Sequence, residues 1–343
     1  MRLERHRLAT GDIVYSRRGD VEKRALVRGH EHEWLCGTGC LRVRPGNDVN
    51  SRWLSYYLGH PPVRAWIARH AVGATMPNLN TAILSSTPVR LPSRSHQDAV
   101  AGVLSPMDEQ VDSSATVRRS CVALAAALVQ QASEAAERIR FGEIGLAQKG
   151  LSYKGAYLAD EGMPMVNLAN AATFGGFKRT GWKHYTGPYQ PRHVAHGGDL
   201  LVANTDLTWK LEALGWPMLL PDDVPEALFS QDVTRIDFAP EWRHLRLPVW
   251  AHLFTTEARQ RVDGMAYGTT VARFPKEALT DLEVPVLPAD APVLRQAEAL
   301  LQRAWAAERE SEALVRLRDA LLPGLMSGEI RVREAEERVG EVV

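Results

Sequence analysis

The chain has 343 residues, of which 45% are hydrophobic and 24% charged, enough for two or three domains with hydrophobic cores. Its 41 basic and 41 acidic residues cancel, which excludes a wholly polybasic binder but not a local basic face. No apolar run approaches the roughly 20 residues that span a bilayer, the start MRLERHRL lacks an apolar signal core, and three cysteines suit a reducing compartment. The sequence therefore predicts a cytoplasmic protein without a membrane segment.

The first region, residues 1–92, is predicted to hold short strands, turns and one helical segment. Strands are predicted at IVYS, LRVRP and PVRLP. Residues 51–70 have helical spacing that Pro61 and Pro62 interrupt.

A cluster of His30, His32, Cys36 and Cys40 lies in this region and leaves two interpretations open. These side chains are zinc ligands close enough in sequence for one site. However, His-x-His and Cys-x3-Cys are less usual spacings, and WLCGTGCLRVRP also fits two short strands around a glycine turn. The second interpretation is favoured, with structural thiols and no metal; Cys121, on a helical stripe, is expected to be a small core residue.

Two long helices follow. Apolar residues recur at spacings of 3–4 over residues 95–140, with Pro106 expected to kink or restart the helix. The second helix covers residues 292–322, and Pro323-Gly324 is expected to end it. Their alanine-rich stripes suit close packing against each other, and a pair of about 30 residues would be roughly 45 Å long.

The region between the helices, residues 141–288, resembles the first region in texture. IDFAP and LEVPVLP are predicted strands, and residues 247–261 a helix. Strands and helices do not alternate cleanly in either region, so the predicted class is α+β, with two similar modules joined by long antiparallel coiled-coil-like helices. The expected boundaries are module one at 1–92, a helix at 93–140, module two at 141–288, a helix at 289–330 and a tail at 331–343.

The two modules are imperfect repeats of each other. The motif GDIVYSRRG recurs as GDLLVANTD, GATMPNLN as YGTTVARF, and STPVRLP as LEVPVLP. Gly11 thus matches Gly198, Gly73 matches Gly268, and Pro92 matches Pro288. A period this long indicates a domain duplication, not a solenoid.

The second copy has about 57 residues before its GD motif and the first has ten. Module one is therefore expected to lack roughly 45 residues of its start. The sequence leaves open a start codon upstream, an impaired module, or completion by another chain.

This order of motifs, together with the ending LVRLRDALLPGLMSGEIRV, resembles the specificity subunits of type I restriction–modification systems, from about residue 11 to residue 332. The resemblance implies two target-recognition domains that each read one half of a split sequence in double-stranded DNA. It also implies a helical spacer that docks methyltransferase subunits, and through them a restriction subunit. The subunit itself would have no catalytic activity and no cofactor.

DNA recognition requires cations for phosphates and polar side chains for base edges. Surface turns or charged faces would explain the same residues without DNA. The candidates are those near the repeated motifs and in the basic segments of module two: Arg17, Arg18, Lys23, Arg24, Thr75, Asn78, Asn80, Lys149, Tyr153, Lys154, Lys178, Arg179, Lys183, Asn204, Lys210, Thr269, Thr270 and Arg273.

Enzyme motifs are missing from the sequence. There is no Asn/Asp-Pro-Pro-Tyr/Phe motif of an amino methyltransferase, no phosphate loop, no G-x-S-x-G elbow and no H-E-x-x-H helix. The alternative to DNA recognition is a protein-interaction scaffold assembled by the helical pair. A steep salt dependence of duplex binding would distinguish the two.

Overall fold

The computed structural model describes residues 3–73 and 75–340, and the chain divides into two compact units. The first unit comprises Met1–Ala115 and Arg309–Val343, and the second comprises Thr116–Glu308. Module one lies in the first unit and module two in the second. No helix in the described ranges has both the length and the apolar composition needed to cross a bilayer.

Module one is a small antiparallel sheet with three helices. Its elements, in chain order, are β1 (Ile13–Ser16), β2 (Arg24–Leu26), β3 (Cys40–Val43), α1 (Ser51–Gly59), α2 (Pro61–His70) and α3 (Thr81–Ser85). The sheet has the order β2-β1-β3. Asn50 caps α1 by accepting a hydrogen bond from the Trp53 N–H, and the proline pair separates α1 from α2 as predicted.

Module two is larger and holds two main sheets, one of four strands and one of five. The strands that follow the long helix α4 (Arg94–Ser133) are β4 (Arg138–Arg140), β5 (Gly145–Lys149), β6 (Leu158–Ala159), β7 (Met163–Val166), β8 (Lys183–Tyr185), β9 (Val194–His196), β10 (Leu200–Ala203), β11 (Thr205–Asp206), β12 (Pro217–Leu219), β13 (Glu226–Phe229), β14 (Val233–Phe238), β15 (Ala272–Arg273) and β16 (Glu283–Pro285). The helices of this region are α5 (Phe141–Ile144), α6 (Arg246–His252), α7 (Thr256–Gly264) and α8 (Glu277–Thr280). The four-stranded sheet has the order β12-β10-β14-β5, and the five-stranded sheet has the order β6-β8-β7-β13-β9.

The chain ends with α9 (Pro292–Ser327) and α10 (Val332–Gly340). The long helices α4 and α9 pack together. In the first unit Asp108 pairs with Arg318 and Ser114 with Glu310, so the two helices run antiparallel. In the second unit Ala125 and Val129 of α4 share a core with residues of α9. The α+β class and the packed long helices are therefore confirmed.

The duplication is visible in strand register. Ile13 faces Leu26 on one side and Val43 on the other. In module two, Leu200 likewise faces Leu219 and Ile236. The sheet β2-β1-β3 is thus the counterpart of β12-β10-β14, and the order of strands is the same.

The turns that enter these sheets are also equivalent. Gly11 and Gly198 have φ of 90° and 87°, in the left-handed region that favours glycine. The aspartate that follows each glycine accepts a hydrogen bond from the backbone N–H three residues before it: Asp12 from Ala9, and Asp199 from His196, both at 2.8 Å. The repeated GD motif is therefore a structural turn in both modules.

The modules differ at the outer edge of the sheet. In module two, β5 pairs along β14, whereas no strand pairs with the outer edge of β3 among the described residues. Part of the five-stranded sheet has a counterpart in module one. The bridge between Arg7 and Leu35 corresponds to the pairing of Val194 with Leu228 in module two.

Several predicted elements of module one and the first helix were wrong. PVRLP forms no strand, whereas its counterpart β16 pairs with β4, because only module two supplies that partner in the described residues. The first long helix ends at Ser133 and not at 140, since residues 138–140 are drawn into this pairing. Of the two outcomes expected at Pro106, a kink or a restart, the restart does not occur, because Pro106 lies inside the continuous helix α4. Leu35 bridges to Arg7 and not to β3, so the predicted hairpin at Cys36–Cys40 does not form.

Other predicted boundaries in the second half were also wrong. The second long helix continues through Pro323-Gly324 to Ser327, because Leu325 is buried in the first unit's core and Gly328 takes the left-handed conformation at the end. Residues 247–261 form two helices, since Thr255 caps a new one. The expected tail contains α10, whose Ala335 is buried. Cys121 is half-buried and not a core residue.

Candidate nucleic-acid interface

The repeated motifs meet in one structure in each module. In module one the loop at 72–78 is closed by two backbone hydrogen bonds between Val72 and Asn78. This loop is joined to the end of β1 because the Leu79 N–H donates to the Arg17 carbonyl and the Gly19 N–H to that of Pro77. Arg18 and Asn78 face each other in the resulting bridge. Two sequence motifs about 60 residues apart are thus joined by backbone pairing, which we call the ladder of module one.

Module two repeats this arrangement. Tyr267 and Arg273 exchange backbone hydrogen bonds across the corresponding loop. Strand β15 pairs with β11, and this pairing is the ladder of module two. Arg273 faces Thr205 in it, just as Asn78 faces Arg18 in module one. The predicted equivalence of residues 75–80 with 269–273 is therefore structural as well as sequential.

A polar cleft of about 340 Å³ opens beside this ladder in module two. Three of its lining side chains are cationic: Lys149 at the end of β5, Arg273 on β15, and Lys276 just beyond. All three residues are exposed, and their side chains make no hydrogen bond or ion pair within residues 3–73 and 75–340. Asp232 is the acidic residue of the lining, so positive charge predominates.

Asn204 lines the same cleft, but its side chain is hydrogen-bonded to other residues of the cleft wall. Its Nδ2 donates to the Gln231 carbonyl at 3.1 Å and to Thr234 Oγ1 at 3.0 Å. Its Oδ1 accepts from Thr205 Oγ1 at 2.9 Å, which leaves one lone pair for a ligand. Asn204 therefore fixes the cleft's shape and has little capacity to read a base edge.

The other candidates divide into exposed side chains and side chains that hold the framework together. Arg179 donates to both carboxylate oxygens of Asp223 (2.9 and 2.6 Å) and to Glu308 (2.9 Å). Burial opposes its charge, but these carboxylates outweigh burial and raise its pKa. Arg24 donates to the Ser55 carbonyl at 2.9 Å, and burial lowers its pKa. Both side chains are occupied by protein partners.

Lys183 and Tyr153 contact each other, with 2.6 Å between Lys183 Nζ and the Tyr153 hydroxyl. Asn80 caps α3 by accepting from the Ile83 N–H at 2.9 Å, so its side-chain oxygen supports a turn. Arg17 and Asn78 are half-buried at the module-one ladder. The remaining candidates are exposed: Arg18, Lys23, Thr75, Lys154, Lys178, Lys210, Thr269 and Thr270.

The structure adds Lys276, Gln231 and Tyr267 to the cleft, none of which the sequence singled out. Lys276 could have been found by extending the repeat three residues past Arg273. Gln231 has no sequence signal, because only the pairing of β10 with β14 brings it beside Asn204.

The zinc interpretation of His30, His32, Cys36 and Cys40 gains no support. Within residues 3–73 and 75–340, no three His, Cys, Asp or Glu side chains converge into a group able to hold a metal ion. Both cysteines are free and half-buried, and desolvation raises the pKa of Cys36.

Residues 4–119 match the family model of the type I restriction modification DNA specificity domain. The chain also resembles the S subunit of the type I restriction–modification system from M. genitalium, at 16% identity and a TM-score of 0.54 over 92% of this chain and 83% of that one. This second likeness concerns the fold. No curated protein matches the chain significantly.

Two further solved structures resemble the chain with lower TM-scores. The HsdS subunit from Thermoanaerobacter tengcongensis is 16% identical over 94% of this chain and 82% of that one, with a TM-score of 0.36. A chain from a study of complex assembly in the type I R-M system is 18% identical over 94% and 83%, with a TM-score of 0.40. The family match thus covers module one and the first part of α4, and the order and register of the module-one sheet recur in module two.

Proposed function

We propose that this chain reads a bipartite target in double-stranded DNA, with one half-site at each module's ladder, and that it docks methyltransferase subunits. The observation that carries the DNA proposal is the cleft of module two, where Lys149, Arg273 and Lys276 have no protein partner in the described residues. Unpaired cations that converge beside a polar cleft are what phosphate and base-edge contacts require. The cleft adjoins a ladder that the chain builds twice.

Salt dependence of binding tests this proposal. The full chain is titrated with a mixed-sequence 40-bp duplex at several salt concentrations, alone and with its methyltransferase. Neutralising one phosphate changes the slope of log K against log salt by about 0.9. Arg273→Ala should therefore weaken binding and reduce the slope by about one. Arg303→Ala, an exposed arginine on α9, is the matched control and should leave the slope unchanged.

A flat salt dependence of the wild-type chain would reject DNA recognition and favour the scaffold alternative. A slope that Arg273→Ala and Arg303→Ala change equally would place the DNA elsewhere on the chain.

The docking proposal rests on an apolar stretch of α4. Leu124 is 50% exposed, and Ala123 and Ala127 beside it line a largely apolar groove of about 440 Å³ together with Phe174 and Trp250. Exposed apolar surface of this kind is typical of a protein interface. Over residues 292–327, by contrast, α9 exposes no large apolar side chain. This exposed apolar stretch supports α4 as the docking face for the methyltransferase, with the restriction subunit recruited through it.

Co-purification tests the docking proposal. Leu124→Glu should remove the methyltransferase from the complex, because a carboxylate would be desolvated at the interface. Ala299→Glu, at an exposed position of α9, is the control that should keep it. Loss with Ala299→Glu alone would move the docking surface to the second helix. The location in the cytoplasm stays a prediction that three free cysteines suit.

A further inference from the structure

The loop between β11 and β12 is specific to module two. Ile13 pairs with Leu26 in module one and Leu200 with Leu219 in module two, so the connection is six residues longer in the second copy. The extra residues lie between Asp206 and Trp216. These residues directly follow β11, whose Thr205 pairs with Arg273 of β15.

The beginning of this loop is fixed by Asp206, which is only 4% exposed. Its Oδ1 accepts from both the N–H and the hydroxyl of Thr208 at 2.7 Å, and its Oδ2 accepts from the Ala213 N–H at 3.2 Å. Burial opposes ionisation of this carboxyl, but the hydrogen bonds outweigh burial and lower its pKa. Asp206 is therefore an organiser of the loop, and no ligand contact is needed to explain it.

The end of the loop is fixed by Trp216. Its indole N–H donates to the Leu211 carbonyl at 3.1 Å. The guanidinium of the buried Arg259 lies 4.4 Å from the Trp216 ring, and Phe174 and Phe254 contact the same ring. The loop is thus braced at both ends by buried groups.

Its tip nevertheless presents apolar side chains to solvent. Leu207 is 67% exposed and Trp209 is 40% exposed, with Lys210 exposed beside them. Trp209 and Leu211 both have φ of 57°, a left-handed conformation that large L-residues rarely adopt. Strained residues persist only where the surroundings over-determine them, and they concentrate at functional sites.

We infer that the tip formed by Leu207 and Trp209 is an apolar wedge that enters a base step of duplex DNA bound at the cleft of module two. This inference rests on the proposed function. Apolar side chains held rigidly beside cations are the means by which proteins unstack and kink duplexes. Lys210 at the tip and Arg273 across the ladder provide the flanking positive charge. Tyr267, which is 55% exposed at the cleft, extends the apolar surface.

The test compares Trp209→Asn with Tyr189→Asn in the full chain. Asparagine tolerates the left-handed backbone, so the loop keeps its conformation while the ring is removed. Tyr189 is a similarly exposed aromatic of the same module, at 46% against 40% for Trp209, and serves as the control. Each protein is titrated with a 30-bp mixed-sequence duplex and with the same duplex carrying one central abasic step, which is easier to unstack.

The wild-type chain and Tyr189→Asn should prefer the abasic duplex by about 5-fold, since part of the unstacking cost is removed. Trp209→Asn should lose this preference and bind the intact duplex about 5-fold to 20-fold more weakly, with an unchanged salt slope because no cation is removed. Normal binding and an unchanged preference in Trp209→Asn would overturn the wedge alone. Absence of salt-dependent binding in the wild type would overturn the proposed function, and the wedge with it.

Discussion

Gly73 and Gly268 occupy the same position in two closed loops and share one backbone conformation, with φ of 115° and 120°. A Cβ at Gly73 would lie 2.6 Å from the Met76 carbonyl oxygen, and one at Gly268 would lie 2.1 Å from that of Val271. Each loop therefore requires glycine at the point where the chain turns back to form the ladder.

Gly268→Ala should destabilise the protein by about 1–3 kcal/mol, because alanine is strained at positive φ and the Val271 carbonyl must shift. Urea unfolding measures the effect. Gly102→Ala is the control, since nothing lies within 4 Å of a Cβ at this helical position. It should stabilise the protein by about 0.5–1 kcal/mol. Equal stability of the two variants would show that the loop does not depend on its glycine.

The sequence was sufficient to predict this duplication because the residues it depends on are local. Glycines at forced turns and aspartates that cap them recur in order, and Gly11 and Gly198 could be matched by inspection. Elements that depend on a distant partner were not predictable. LEVPVLP becomes a strand because β4 lies beside it, while PVRLP has a similar pattern and no such neighbour.

The candidate site was predictable to a similar extent. Lys149, Asn204 and Arg273 were selected from motifs and basic segments, and all three line one cleft. Sequence could not show that Arg179 is neutralised by Asp223 and Glu308, because those acids are about 44 and 129 residues away. Nor could it show that Asp206 organises an exposed loop.

The turn of module one depends on the buried carboxylate of Asp12. Burial disfavours its charge, but two hydrogen bonds from Arg44 at 2.7 Å and one from the Ala9 N–H outweigh burial and hold its pKa below the usual value. A carboxyl group whose pKa is lower in the folded than in the unfolded state stabilises the fold at pH values above its unfolded-state pKa. This stabilisation is lost as pH falls through its folded-state pKa.

Asp12→Asn should therefore cost about 1–3 kcal/mol at pH 7, since a buried charge-assisted pair is lost. The difference from wild type should shrink as pH falls below about 4. Urea unfolding at pH 7 and at pH 3.5 measures both values. A difference that stays constant over this range would show that ionisation of Asp12 does not contribute.

His252 is 3% exposed in the core of module two, and desolvation, together with Arg138, lowers its pKa to about 4 despite Glu257 nearby. The unfolded chain thus binds a proton between pH 6.5 and 4 that the folded chain does not. Stability should be complete above pH 6.5 and should fall by about 2–3 kcal/mol as pH approaches 4.

His252→Gln removes the titrating group and should reduce this pH dependence, whatever its effect on stability at pH 7. Unfolding free energies of both proteins at pH 5 and pH 7 provide the comparison. An identical loss of stability in the variant would assign the acid sensitivity to other groups.

The two modules should not read DNA equally well. β14 has β5 on its outer edge, which brings Lys149 to the cleft, whereas β3 has no strand there among the described residues. Base readout needs side chains held in fixed positions. One half of the methylation motif is therefore expected to be strict and the other degenerate. Two equally stringent halves would show that module one reads its half-site fully.

Methylome sequencing of a strain that carries this gene with its methyltransferase tests whether the module-two cleft reads one half of a bipartite DNA target. The comparison is between wild type, Arg273→Ala and Arg303→Ala. We expect a bipartite motif in wild type and Arg303→Ala, and relaxed base preference confined to one half in Arg273→Ala, because a base or phosphate contact at the module-two cleft is lost. A motif that is not bipartite, or one that Arg273→Ala leaves unchanged, would contradict this expectation.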